Sequence, residues 1–136
     1  MIALAEFEHV ILQDVREQLQ RMIKRVDGLN SIVFTDRDGV PVVKVSRNSQ
    51  DQGFGFAKAE QMACSIASLT QAGRLQMGRP KYVISCKDSS QLICFNENQV
   101  FVHLFASSAA TTGMLLCLEK ELTALASDLS RVIDNS

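Results

Sequence analysis

An α+β fold, a five-stranded antiparallel sheet with helices on its faces, is predicted by three features of the sequence. Five short runs are β-branched or alternating in character. The connections within the first pair of runs and within the last three are only a few residues long, which forces antiparallel neighbours. Helical repeats stand at both ends and between the two groups of strands, giving the order α-β-β-α-β-β-β-α.

The first element is an amphipathic helix. Leu4, Phe7, Ile11, Val15, Leu19, Met22 and Val26 recur at steps of three and four, and Glu, Gln, Arg and Lys fill much of the rest. Asp27-Gly28 follows, with glycine where a helix end needs positive φ. Ser31 to Thr35 and Val40 to Val45 read as a hairpin around Asp36-Arg37-Asp38-Gly39. Pro41 cannot donate to a ladder, so its strand lies at an edge or begins there. Arg47 to Gly55 is polar and reads as a loop. A second helix starts at Phe56, with Ala59, Met62, Ala63, Ile66 and Leu69 as its apolar positions, and stops near Gly73 or Gly78. From Phe56 to Gln71 it carries only Lys58 and Glu60 as charges. A surface helix would show a charged outer face, so this one is expected to be covered on more than one side. Lys81 to Cys86, Gln91 to Asn96 and Val100 to Ala106 are the last three strands. Leu115, Leu118, Leu122, Leu125, Leu129 and Val132 mark a third helix of about twenty residues, with Thr111 or Thr112 available as its cap. Its e and g positions offer no opposite-charge pairs, so it packs on a core instead of forming a coiled coil.

The 136 residues suit one domain, here 1–136 with an extended N-terminal helix. Fourteen basic residues stand against fifteen acidic ones, and tryptophan is absent. That balance calls for neither nucleic acid nor an anionic membrane. The basic residues Arg16, Arg21, Lys24 and Arg25 are interleaved with acids and read as a solvated face. Cys64, Cys86, Cys94 and Cys117 form no CxxC pair and are read as buried free thiols. Met1 to Glu8 has no basic region ahead of an apolar one, and is not read as a secretion signal. Val100 to Leu118 is nineteen residues without a formal charge, the length of a membrane span. Ser107, Ser108, Thr111, Thr112 and Gly113 would then sit at the bilayer centre, so a strand and a helix joined by a polar turn are preferred.

No motif carries catalysis. Asp36-Arg37-Asp38-Gly39 opens like a calcium loop, but Val40 and Arg47 stand where ligands are needed. Gly53-Phe54-Gly55 lacks the strand and third glycine of a dinucleotide fingerprint. His103 is in phase with Phe101 and Phe105, and is read as a packed histidine with one hydrogen-bond partner. No cofactor, metal or catalytic residue is assigned. What remains is a surface: the weakly charged second helix, and the strand KYVISC, where Tyr82, Ile84 and Cys86 share one alternation. An apolar edge of that kind calls for another chain.

Three stretches, DGLNSIVFTDRDGVPVVKV (Asp27 to Val45), QLICFN (Gln91 to Asn96) and FASSAATTGMLLCLEKEL (Phe105 to Leu122), resemble the MEK-partner scaffold family. That family supplies a roadblock-fold, longin-like subunit of the Ragulator complex. The resemblance implies a non-catalytic adaptor that forms a heterodimer with a second roadblock-fold adaptor. It further implies a lipid-anchored Ragulator subunit that tethers the pair to the cytoplasmic face of late endosomes and lysosomes, with no direct membrane insertion. Rag GTPases of the target-of-rapamycin pathway, and a MAP kinase kinase with its MAP kinase, are the implied clients. Carried over by position, the dimer surface is Met62, Ile66, Leu69, Tyr82, Ile84 and Cys86. The alternative is a homodimeric roadblock or longin-type module that binds and regulates a small GTPase directly.

Overall fold

The computed structural model describes residues 4–47, 56–74, 82–87, 89–97, 99–108 and 110–134. The expected loop beyond Arg47, the Gly53-Phe54-Gly55 stretch, Gly78 and Lys81 lie outside them. The elements are α1 (Leu4–Arg25), β1 (Leu29–Thr35), β2 (Pro41–Ser46), α2 (Phe56–Arg74), β3 (Val83–Lys87), β4 (Ser90–Glu97), β5 (Val100–Ser107), α3 (Thr112–Leu116) and α4 (Glu119–Asp134). The five strands form one antiparallel sheet in the order β2-β1-β5-β4-β3.

Alternation along the strands sorts the core into two sides. On one, Ile32 and Phe34 of β1, Val43 and Val45 of β2, Ile93 and Phe95 of β4, and Val102 and Leu104 of β5 meet the stripes of α1 and α4. Leu19, Leu122 and Leu129 are fully buried there, each contributing about 1.5–3 kcal/mol of burial. On the other side, Val33, Leu92 and Phe105 pack with Met62, and Cys94 and Phe101 pack with Ile66 and Leu69 of α2. The molecule is therefore three layers: α1 and α4, the sheet, and α2.

The punctuation follows the chemistry of the turns. Gly39 has φ of 84° in the β1–β2 hairpin, and the Asp36 carboxylate accepts from the N–H groups of Asp38 and Val40 at 2.9 and 3.0 Å. Pro41 satisfies both sequence expectations, since it begins β2 and β2 is an edge. At the end of α1, Arg47 donates through Nη2 to the carbonyls of Ile23 and Val26, and through Nε to that of Leu29. The Ile23 carbonyl is one that the helix end leaves without an intrahelical partner, and the other two bonds tie Arg47 to the turn into β1.

The second helix ends at Arg74, beside Gly73, as expected. One expectation is corrected. The last helix is two segments rather than one. Thr111 caps the first by accepting from the Met114 N–H at 3.2 Å. At the junction the Leu118 N–H bonds to Leu115, three residues back, so the turn tightens there. Leu115, Leu118 and Leu122 still face one core across the break, which is why leucine spacing alone did not reveal it. The apolar stretch 100–118 is β5 followed by α3, and no helix among the described residues is long and apolar enough to cross a membrane.

Candidate partner interface

The sheet order leaves β2 and β3 at the edges, and the two are finished differently. β2 begins with a proline and exposes Lys44, devices that discourage strand addition. Among the described residues, β3 pairs with β4 alone. Ile84 is 40% exposed and Tyr82, just before the strand, 37%. Cys86 is exposed too. An unpaired edge with apolar side chains is a template for another strand.

Register fixes which way each residue of β3 points. Val83 stands opposite Cys94 and packs with the α2 cluster. Ile84 stands opposite Ile93, whose side chain belongs to the α1–α4 core. Ile84 and Cys86, and Tyr82 by the same alternation, thus lie on the side of the sheet away from α2. The six residues expected to share one surface are therefore split. Met62, Ile66 and Leu69 are buried at 4, 8 and 6% exposure against the chain's own sheet. That corrects their reading as outward groups. They are the apolar stripe of α2, and its first obligation is the core of its own chain.

The outward face of α2 is made of other residues. Glu60, Ala63, Cys64, Ala67, Ser68 and Gln71 are exposed. Only Glu60 is charged. The Thr70 hydroxyl donates to the Ile66 carbonyl of its own helix at 2.8 Å, so that group makes little demand on a neighbour. Small, uncharged side chains allow a second helix to approach closely. The expectation that α2 is covered on both sides is met on the sheet side and left open here. Phase analysis from Met62, Ile66 and Leu69 would have placed Ala63, Ala67 and Ser68 outward. The thiols are likewise corrected: Cys94 alone is buried, while Cys64, Cys86 and Cys117 are free and exposed. A Cys86–Cys94 bridge is excluded, because Cys86 pairs with Gln91 and Cys94 with His103.

Among the described residues, the one arrangement resembling catalytic chemistry is Cys94 across from His103. Both are fully buried. Burial pushes the thiol up to about 12 and the imidazole down to about 4. A nucleophilic cysteine needs the reverse, a depressed thiol beside a basic histidine. His103 Nε2 is 2.9 Å from Thr35 Oγ1, and Nδ1 has no partner among the described residues. The histidine is a packed residue with one hydrogen bond, as its phase with Phe101 and Phe105 predicts.

Comparison with known proteins agrees with this geometry. The family described as "Mitogen-activated protein kinase kinase 1 interacting" matches residues 13–133. The Ragulator complex protein LAMTOR3 of Mus musculus is 34% identical over 126 residues, covering 90% of this chain and 98% of the relative. Its counterpart in Danio rerio is 33% identical, covering 89% and 96%. Among solved structures, Myxococcus xanthus MglB matches with a TM-score of 0.64 at 8% identity, over 90% of this chain and 97% of that one. A Roadblock/LC7 domain from Streptomyces avermitilis matches at 0.57 and 13% identity, over 88% and 92%. The structures establish the roadblock fold. The sequence relatives place the chain among adaptor subunits of a complex, in a scaffold role and not an enzymatic one. The chain belongs to the mitogen-activated protein kinase kinase 1 interacting family.

Proposed function

We propose that this chain is a scaffold subunit that pairs with a second roadblock-fold protein through the β3 edge and the outward face of α2. The observation carrying this reading is the unpaired β3 edge with Ile84, Tyr82 and Cys86 exposed beside it. A partner strand would extend the sheet, while a partner helix would lie on Ala63, Ala67 and Ser68. The pair would belong to a Ragulator-like complex, tethered by a lipid-anchored subunit to late endosomes or lysosomes. There it would present Rag GTPases to the target-of-rapamycin pathway and hold a MAP kinase kinase near its MAP kinase. The relatives' names support the complex, and the family description supports the kinase link.

Multi-angle light scattering on the chain alone, and mixed with a second roadblock chain, tests this. The expected result is a one-to-one complex with the second chain. A stable homodimer that refuses the second chain and binds a small GTPase would overturn it.

A further inference from the structure

The two faces of the sheet hold their helices differently. Among the described residues, the α1–α4 face is one continuous apolar cluster that takes in the buried stripes of both helices. α1 and α4 are also bonded to each other through Arg25 and Glu121 at 3.0 Å. Arg47 fastens the end of α1, and the Ser130 hydroxyl of α4 donates to the Glu97 carbonyl at 3.4 Å.

The α2 face is divided. Its apolar contacts form two separate clusters: Val33, Met62, Leu92 and Phe105 in one, and Ile66, Leu69, Cys94 and Phe101 in the other. His103 stands between them, because on β5 it lies between Phe101 and Phe105 and points to the same side. Its Nδ1 is buried without a partner, and so is the Ser31 hydroxyl. Ser31 and Thr35 flank Val33, the residue opposite His103, so a polar strip crosses the floor on which α2 rests. The helix brings nothing to answer it. Its buried Ser65 donates to the Gln61 carbonyl at 3.0 Å and Thr70 to that of Ile66, both within α2. No described side chain of α2 hydrogen-bonds to the sheet.

We infer that α2 is a lid, which lifts from the sheet as a unit while the strands, α1 and α4 stay folded, and which pairing with a second roadblock chain holds shut. The closing half rests on the seam proposed above. Lifting α2 gives up the contacts of Met62, Ile66 and Leu69, and returns Ser31 and His103 to water, which favours them. The α1–α4 cluster is untouched, because alternate residues of the same strands face it. The open state bares Phe101 and Phe105 and is therefore minor. A partner helix can bury Ala63, Ala67 and Ser68 against the seam only when α2 is seated, so association shifts the population toward the closed state.

Cys94 supplies the reporter. It packs with Ile66 and Leu69, and burial pushes its thiol up to about 12, so it is inert while α2 is down. N-ethylmaleimide labelling of Cys94 in the isolated full-length chain is followed by mass spectrometry beside amide hydrogen exchange, at urea concentrations below the unfolding transition. Cys94 labelling and α2 exchange should report one opening, populated about a hundredfold or more above the opening that exchanges the α1 and α4 amides, and only weakly dependent on urea. In the reconstituted roadblock pair, that opening should fall about tenfold or more, with Cys64 on the outer face of α2 protected. A lid is ruled out if Cys94, α2 and α4 open together with one urea dependence, or if Cys94 labels while the α2 amides stay protected. Closure by the partner is ruled out if the pair protects Cys64 and leaves the Cys94 rate unchanged. A pair that leaves Cys64 reactive refutes the seam instead, and the isolated chain still decides whether α2 lifts.

Discussion

Alanine at Gly28 and alanine at Gly39 should cost different amounts, although the two backbones are nearly alike. Their φ angles are 88° and 84°. A Cβ in that left-handed region costs about 1–2 kcal/mol. At Gly39 the added Cβ would meet, among the described residues, only Ile66 Cδ1, at an ordinary 3.8 Å. At Gly28 it would meet the Ala110 backbone nitrogen at 2.8 Å and the Ala110 Cβ at 2.9 Å. That approach is fixed from both sides. The Gly28 carbonyl accepts from the Ser107 N–H at 2.8 Å, and the Ala110 carbonyl accepts from the buried Gln91 Nε2 at 2.7 Å. Relief therefore requires moving the turn after β5, an overpacking cost of about 1–3 kcal/mol beyond the strain. Gly39→Ala should lose about 1–2 kcal/mol and Gly28→Ala about 2–5 kcal/mol, a large share of a domain's usual 5–15 kcal/mol. Urea unfolding with a shared m-value measures both. Equal losses would refute the argument, since they would mean that the α1–β1 turn has room the structure denies it.

Two further outcomes follow from the electrostatics. His103 is depressed from 6.5 to about 4 by burial, so between those values the unfolded chain binds the extra proton. Stability should fall as pH drops through that window, by about 2 kcal/mol on going from pH 8 to pH 5. Denaturant melts of wild type against His103→Gln isolate the contribution, and parallel pH profiles would contradict it. Arg25 and Glu121 join α1 to α4 at 3.0 Å, but their side chains are 57 and 53% exposed. Glu121→Gln should therefore shift stability by less than about 1 kcal/mol, and a larger loss in the same melts would show that the pair is not solvent-screened.

The strands and the hairpin were legible because their signals are local. Asp38-Gly39 predicts a positive φ wherever it stands, and β-branched runs between polar turns leave little choice of element. The helix caps at Gly28 and Thr111 were legible for the same reason. The partner surface was half legible. Scarcity of charge on α2 pointed to a second contact, but the residues assigned to it from the family resemblance, Met62, Ile66 and Leu69, are large and apolar. Those qualities sent them to the core. The residues left for a partner, Ala63, Ala67 and Ser68, carry no hydropathic signal and emerge only from helical phase. The strip at Ile84 and Cys86 was visible as alternation. Which side of the sheet it faces required the register with β4. Thiol exposure was misjudged because apolar sequence neighbours do not say which side of a strand or helix is covered: Cys86 lies on an edge strand, Cys64 on the outward face of α2, and Cys117 at the junction of α3 and α4.

Co-purification of a folded α2 variant with the second roadblock chain tests the central claim most directly. Ala67→Arg places a long cation in the middle of the outward face, and arginine is a good helix former, so the fold should survive. Ile66→Asp is the contrast, since it buries an unpaired carboxylate against Leu69, Cys94 and Phe101 and should unfold the chain. The account predicts that Ala67→Arg keeps the wild-type circular dichroism spectrum and loses the roadblock partner. A folded Ala67→Arg chain that still retains the partner at wild-type yield would contradict it, and would move the seam away from α2.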